Sequence, residues 1–266
     1  MPDSTPDLPA VPHPVAPRPA ATLVLLRDGT EGLELLMIER HGGLSFAPGA
    51  SVFPGGRLEP ADHGPGWHVH WPGRGIPADL AHRVAAVRET FEECGLLLAD
   101  GPADPGRLAA LRKALAAGAG FADALADAGL RPALDGMVPL ARWVTPESLP
   151  RRFDALFFLA PAPVGQTPLC DGGEAVAAFW ATPRRLLAEE REGARRLVFA
   201  TRMSLLRLAA CGGVEEALAC GLHGRRALPP AILPRLVQTA AGPVFRIPEG
   251  CGFSPLETPT GNVRLG

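Results

Sequence analysis

Tyrosine is absent from this 266-residue chain, which excludes any tyrosine-based acid or nucleophile. Lysine occurs once, at Lys113, so nearly all positive charge is arginine. There is little charge excess of either sign. The formal net charge is −2, and no global basic field argues for nucleic acid or for an anionic membrane surface. No apolar run reaches membrane-spanning length. Paired metal-type cysteine spacing is also missing. The five cysteines, at 94, 170, 211, 220 and 251, are scattered and odd in number, and reduced structural thiols in a cytoplasmic protein are the expectation. The N-terminus is proline-rich, without the charged start and apolar stretch of a secretory signal. The C-terminus, Asn262-Val263-Arg264-Leu265-Gly266, is not a peroxisomal address, and no internal repeat is evident. What is abundant is Ala, Gly, Pro and Arg, a usage that suggests a bacterial genome rich in G and C.

Against this background one segment stands out. Phe53-Pro54-Gly55-Gly56 is a glycine turn, and two adjacent glycines let backbone approach a phosphate or a metal closely. Further on, Asp79 is a plausible N-cap, an apolar pattern runs from Leu80, and Gly95 suits a C-terminal cap. At about 100° per residue, Leu80, Val84, Val87, Phe91 and Cys94 share one narrow stripe. Glu89, Glu92 and Glu93 fall roughly opposite, as i, i+3 and i+4 neighbours. Like charges at that spacing repel, and a hard cation such as Mg²⁺, which takes oxygen ligands and leaves room for substrate phosphates, removes the penalty. Arg88 adjoins the cluster and is placed to orient a carboxylate or a phosphate oxygen through its planar fork. A merely solvated acidic face is the plain alternative, and the preceding glycine turn weighs against it.

These residues resemble the signature of the Nudix hydrolases: G, five residues, E, seven residues, then REUxEExGU, with U a bulky aliphatic. Gly56 starts the pattern, and Arg88-Glu89-Thr90-Phe91-Glu92-Glu93-Cys94-Gly95-Leu96 completes it. Asp62 stands where the first Glu belongs, Thr90 replaces an aliphatic residue, and the spacer runs 25 residues, 63 to 87, in place of seven. Loop length costs little entropy, so an insertion over 63–80 is compatible with the motif if it bulges between turn and helix. Phe46 to Gly56, Trp143-Val144-Thr145-Pro146-Glu147 and Arg151 to Phe158 resemble the Nudix branch with an interrupted box, whose better-known members are peroxisomal coenzyme A diphosphatases.

The coarse reading of the chain is a disordered proline-rich tail over 1–19 and one domain over 20–266. Strands are expected at Ala21–Leu26, Leu33–Ile38, Val138–Val144, Phe153–Leu159, Ala175–Trp180 and Val244–Ile247. A helical insertion over 106–128 is expected to break at Gly118 to Gly120. Helices at Pro183–Glu192, Arg195–Cys211 and Val214–Cys220 form a C-terminal helical extension. Strands on both sides of a site-bearing helix suggest an α/β fold, and the resemblance implies the same α/β/α sandwich with a mixed sheet, plus extra helices.

The resemblance implies metal-assisted hydrolysis of a pyrophosphate bond in a nucleoside diphosphate linked to another group. Coenzyme A or an acyl derivative is the first choice, ADP-ribose or NADH the second, and a non-catalytic nucleotide sensor the third. Glu89, Glu92 and Glu93, with Gly56, are the expected Mg²⁺ or Mn²⁺ ligands, beside Arg88. Glu89 or Glu174, the latter in Asp171-Gly172-Gly173-Glu174, is the expected general base. Arg40, Arg57, Arg151 and Arg152 are candidates for phosphate contact. His63, Trp67, His68, His70 and Trp71 in the insertion read as aromatic packing, with ligand contact as the alternative. Cys94 reads as core. The expected partner is a small-molecule nucleotide, with neither nucleic acid nor membrane, and a homodimer is left open.

Overall fold

The computed structural model describes residues 15–44, 47–73, 75–170, 172–224 and 227–260. The first 14 residues of the tail read over 1–19, Phe46, Asp171 and the final six residues lie outside that set. The elements in chain order are β1 (Arg18–Gly29), β2 (Gly32–Arg40), β3 (Ser51–Val52), β4 (Gly55–Arg57), α1 (Leu80–Cys94), α2 (Pro105–Ala116) and α3 (Phe121–Asp127). They continue with β5 (Val138–Val144), β6 (Phe153–Pro161), β7 (Ala175–Ala181), α4 (Pro183–Arg191), α5 (Phe199–Leu208) and α6 (Val214–Ala219). The chain then adds β8 (Ala231–Ile232), β9 (Arg235–Thr239), β10 (Gly242–Arg246) and β11 (Glu257–Pro259).

β1 organises the sheet because both its faces are apolar. Leu23 and Leu25 belong to one core, with Val84, Val87 and Phe91 of α1, Leu111 of α2 and Phe121 of α3. Val24 and Leu26 belong to a second core, with Leu186 of α4, Met203 and Leu205 of α5 and Ala217 of α6. A strand buried on both faces reads as a continuous apolar run, as Leu23 to Leu26 does. The result is three layers, helix–sheet–helix. The strand order is β3-β2-β1-β6-β5-β8, with β4 also beside β1 and β7 beside β2. β1 runs parallel to β6 and β5 parallel to β8, while the other pairs in this sheet are antiparallel, so the sheet is mixed.

Several boundaries differ from the sequence reading. β1 begins at Arg18, inside the span read as tail, where its residues pair with Phe153 and Asp154 of β6. α5 begins at Phe199 and not at Arg195, because the Ser51 amide donates to the Arg196 carbonyl and Leu197 bridges Ser51, holding that stretch extended. After α6 the sequence reading places one strand, Val244–Ile247; β10 overlaps it and does not stand alone. β9, β10 and β11 form a small antiparallel sheet that sends Phe245 into the second core. Asp79 does sit at the N-cap, but its carboxylate makes no cap bond, since both oxygens take Arg83 at 3.0 Å.

Candidate active site

The glycine turn is a short strand. β4 lies antiparallel to β1 with Gly56 opposite Ala21 and Gly55 opposite Thr22. Gly55 has φ +156°, and a methyl group there would strike the Ala21 carbonyl. A methyl group on Gly56 would strike the Glu89 carboxylate. The two glycines are thus needed for different reasons, the first by strand pairing and the second by the acid packed against it.

α1 covers this strand, and its acidic side is not the solvated face that the helical periodicity suggests. Arg88 and Glu93 are both 4% exposed. One Glu93 oxygen, Oε2, accepts the Gly55 N–H at 2.8 Å. The other, Oε1, is buried without a hydrogen-bond partner, its nearest cation being Arg40 at 3.9 Å. Burial pushes the Glu93 carboxyl up to about 8 against the pull of the Gly55 N–H, with Glu89 adding to the rise. Glu89 is pushed up to about 7, again chiefly by burial, partly offset by Arg88, with Glu92 and Glu174 as neighbouring negative charges. Burial raises Glu92 as well, against the pull of Arg88.

Arg88 uses its whole guanidinium inside the protein. Nε and NH2 grip Asp62 at 3.0 and 2.9 Å, NH1 donates to Glu89 and Glu92 at 3.0 Å each, and NH2 also donates to the Arg57 carbonyl at 3.0 Å. Five N–H donors meet five acceptors, so Arg88 aims carboxylates and has no donor left for a phosphate. Asp62 lies in a 3₁₀ turn, Pro60–His63, 2% exposed, and also accepts the Glu59 N–H at 2.7 Å. Its part in the site is not marked in the sequence beyond its place in the signature.

Thr90 is packed, its hydroxyl donating to the Ala86 carbonyl at 2.7 Å, and the buried Cys94 thiol, pushed up by burial to about 12, donates to the Thr90 carbonyl. In the insertion, Trp67 is buried against Phe121 and donates its Nε1–H to the Ala61 carbonyl. The insertion's histidines do not line the cavity at the site.

That cavity has a volume of about 630 Å³. Arg40, Arg57, Gly56, Glu89, Glu92 and Glu174 line one end, so these expected site residues come together. Arg151 and Arg152 do not line it. Arg151 is exposed elsewhere, and Arg152 is buried, donating to the carbonyls of Thr145 and Val15. They precede a strand as expected, and it is Phe153 and Ala155 of that strand that reach the cavity. The sequence reading did not anticipate the other end, walled by Trp143, Phe157, Phe199 and Ala200. Such residues look like core, and only the tertiary fold opens them to a cavity.

Among the described residues no three His, Cys, Asp or Glu side chains stand as a ready cation cage, because Arg88 holds Glu89 and Glu92. The donor chemistry nonetheless fits a hard divalent cation. Acids are gathered at unfavourable cost, Glu93 Oε1 is buried without a hydrogen bond, and the missing side chain at Gly56 lets the Glu89 carboxylate pack directly against the glycine strand.

A glycine strand against an acidic helix, on a mixed sheet between helical layers, places this chain among the Nudix hydrolases, to which it belongs. A Nudix hydrolase from Alicyclobacillus acidocaldarius, known from its crystal structure, is 33% identical, with TM-score 0.64 over 81% of this chain and 99% of that one. The family model for the NUDT19 Nudix domain matches residues 68–194, beginning after the glycine turn and Asp62. Acyl-coenzyme A diphosphatase NUDT19 of Homo sapiens is 30% identical over 207 residues, covering 58% of this chain and 54% of that protein. Its Gallus gallus counterpart is 26% identical over 204 residues, covering 56% and 54%. The chain therefore spans about half the length of the curated relatives it matches. No helix among the described residues is long and apolar enough to cross a membrane.

Proposed function

We propose that this enzyme hydrolyses the pyrophosphate bond of coenzyme A or an acyl-coenzyme A, releasing 3′,5′-ADP and 4′-phosphopantetheine or its acyl derivative, with Mg²⁺ or Mn²⁺ as cofactor. The observation that carries the reaction class is the Gly56–Glu89–Glu93 arrangement, a carboxylate cluster packed on a glycine strand at the charged end of a cavity. The names of its relatives support the coenzyme A assignment.

Glu92, Glu93 and the Gly56 carbonyl are the groups that would hold the cation, with Glu89 beside them. When bound, Mg²⁺ or Mn²⁺ supplies charge neutralisation on the phosphates and a more acidic attacking water. Glu89 is the general base. Arg88 NH1 holds its Oε1, which leaves Oε2 to take a proton from water, and a carboxyl pushed up to about 7 suits proton transfer near neutrality. Arg88, itself held by Asp62, fixes the direction of Glu89 and Glu92. Arg40 and Arg57 meet the substrate phosphates at the cavity wall, and Glu174 flanks Glu89. The cytoplasm is the proposed compartment.

The test is kcat/KM across coenzyme A, acetyl-coenzyme A, ADP-ribose, NADH and diadenosine polyphosphates, each with Mg²⁺ and Mn²⁺. Coenzyme A compounds are expected to lead, with 3′,5′-ADP among the products. A lead for ADP-ribose or NADH would keep the mechanism and overturn the substrate. Nucleotide binding without turnover of any of them would make the chain a sensor.

A further inference from the structure

Outside the cavity, two thiols meet. Cys211 Sγ and Cys220 Sγ lie 3.5 Å apart, although the residues are nine positions apart in sequence. Cys211 stands in the turn between α5 and α6, and Cys220 caps the C-terminal end of α6. Both are half-buried free thiols, and neither lines the cavity. Among the described residues no group of three His, Cys, Asp or Glu side chains is set to hold a metal ion, so the pair is not part of a cation site.

The contact does not depend on a loose loop. Ahead of α6, the Val214 N–H donates to Asp28 of β1 at 2.9 Å and the Gly212 N–H to Glu216 at 2.7 Å. Behind it, the Leu222 N–H donates to the Pro139 carbonyl of β5 at 2.7 Å, and Arg207 of α5 donates to the Cys220 carbonyl. Backbone on both sides of the pair is thus tied to the sheet and to α5, and the sulfurs face each other with no further ordering of the chain. A disulfide bond closes at about 2 Å, which leaves the sulfurs about 1.5 Å to travel. The two thiols are not equivalent. Burial, the hydrogen bond to Cys220 and the neighbouring Cys220 and Glu216 charges push the Cys211 thiol up to about 11, with Arg207 opposing. Cys211 therefore keeps its proton near neutrality and donates S–H to the Cys220 sulfur, so Cys220 is the thiol that attacks first.

We propose that Cys211 and Cys220 form a reversible redox site, oxidised by a low-molecular-weight disulfide, whose bond staples the end of α5 to the end of α6 away from the cavity. Cys220 loses its proton to water and attacks one sulfur of the oxidant. The oxidant's S–S bond breaks, a mixed disulfide forms on Cys220, and one small thiolate leaves. Cys211 gives its proton to that thiolate and attacks Cys220 Sγ, and the second small thiolate leaves with the proton that Cys220 gave up. Two protein thiols become one disulfide while one small disulfide becomes two thiols. In a reducing compartment such a bond is transient, and it follows the supply of oxidant.

The test incubates the full chain with oxidised glutathione, blocks the remaining thiols with iodoacetamide, and maps the tryptic peptides by mass. Residues 208–225 leave as one peptide carrying both cysteines, and Cys251 falls on another. The 208–225 peptide is expected unalkylated and lighter by two hydrogens, and the thermal midpoint is expected to rise by about 5 °C, as for closing a short loop. Dithiothreitol is expected to reverse both. Cys211→Ser is expected to stop at a glutathione adduct on Cys220, Cys220→Ser to take up far less adduct on Cys211, and neither midpoint to rise. A wild-type peptide that stays alkylated, a bond to Cys251 instead, or a bond that leaves the midpoint where it was overturns the proposal. So does a midpoint that rises equally in Cys211→Ser. The wild-type peptide alone decides whether the bond forms, even if a serine variant does not fold. Nothing is hydrolysed in this test, so its result stands apart from the substrate.

Discussion

Asp62 and Arg88, 26 positions apart, are joined by a two-pronged buried ion pair at 3.0 and 2.9 Å, and through it the 3₁₀ turn after the glycine strand sets the direction of two carboxylates on α1. Asp62→Ala leaves a buried guanidinium short of an acceptor. Stability is expected to fall by about 3 kcal/mol, as when one partner of a buried pair is removed. Turnover is expected to drop by about 10–100-fold, as for the loss of an outer-shell orienting group. Denaturant unfolding and kcat measure the two effects, and an unchanged kcat would dissociate Asp62 from the site.

Glu93→Gln retains an oxygen for the Gly55 N–H but removes the charge. The fold is expected to survive and cation-dependent turnover to be lost by at least about 100-fold. Near-normal activity in that variant would remove Glu93 from the cation site.

The two glycines separate strain from chemistry. Gly56→Ala displaces the Glu89 carboxylate, so kcat is expected to fall by about 100-fold or more while the folding midpoint moves little. Gly55→Ala meets the Ala21 backbone at φ +156°, so the main loss is stability, about 1–3 kcal/mol. Thermal unfolding beside kcat distinguishes them, and identical behaviour would contradict the distinct roles.

Stability of the cation-free protein is expected to depend on pH in one direction. Glu89 at about 7 and Glu93 at about 8 both lie above the ordinary 4.5, so the folded state holds protons that the unfolded chain releases. That contribution is fully present below about pH 4.5 and is lost as pH rises through about 7 to 8. Mn²⁺ at pH 8 is expected to restore the midpoint by binding the ionised acids. A cation-free profile that is flat between pH 5 and 8, as no ordinary glutamate would alter it there, sinks the desolvation argument.

Three arginines separate the cavity wall from the rest of the surface. Arg57→Ala is expected to raise KM by about tenfold through a lost phosphate contact. Arg152→Ala breaks bonds to the carbonyls of Thr145 and Val15, and is expected to cost about 1–3 kcal/mol of stability with kcat/KM within about threefold. Arg151→Ala is expected to change neither.

The parts of this fold legible in the sequence are those with a strong local period or cap. Gly95 takes the left-handed conformation at the end of α1, β5 spans Val138–Val144 as read, and α2 and α3 break around Gly118. The signature residues that meet at the cavity were legible because their spacing is fixed by one helix and one turn. What was not legible depends on distant pairing. Arg152 looks like any site arginine until the carbonyls of Thr145 and Val15 claim it. Trp143 and Phe199 look like core because their alternation and burial are those of core, and the space beside them is made by β5, β6 and α5 together. β9 and β11 carry mostly exposed residues, so no apolar period announces them, whereas β10, with Val244 and Phe245 buried, overlaps the strand expected at Val244–Ile247.

The measurement closest to the central claim is mass analysis of the products formed from coenzyme A in ¹⁸O-water, with Mg²⁺ or Mn²⁺ and with a chelator. The account predicts 3′,5′-ADP and 4′-phosphopantetheine, one of them carrying a single ¹⁸O, and no products once the cation is removed. Intact coenzyme A under both conditions, with the protein folded and nucleotide bound, would contradict it.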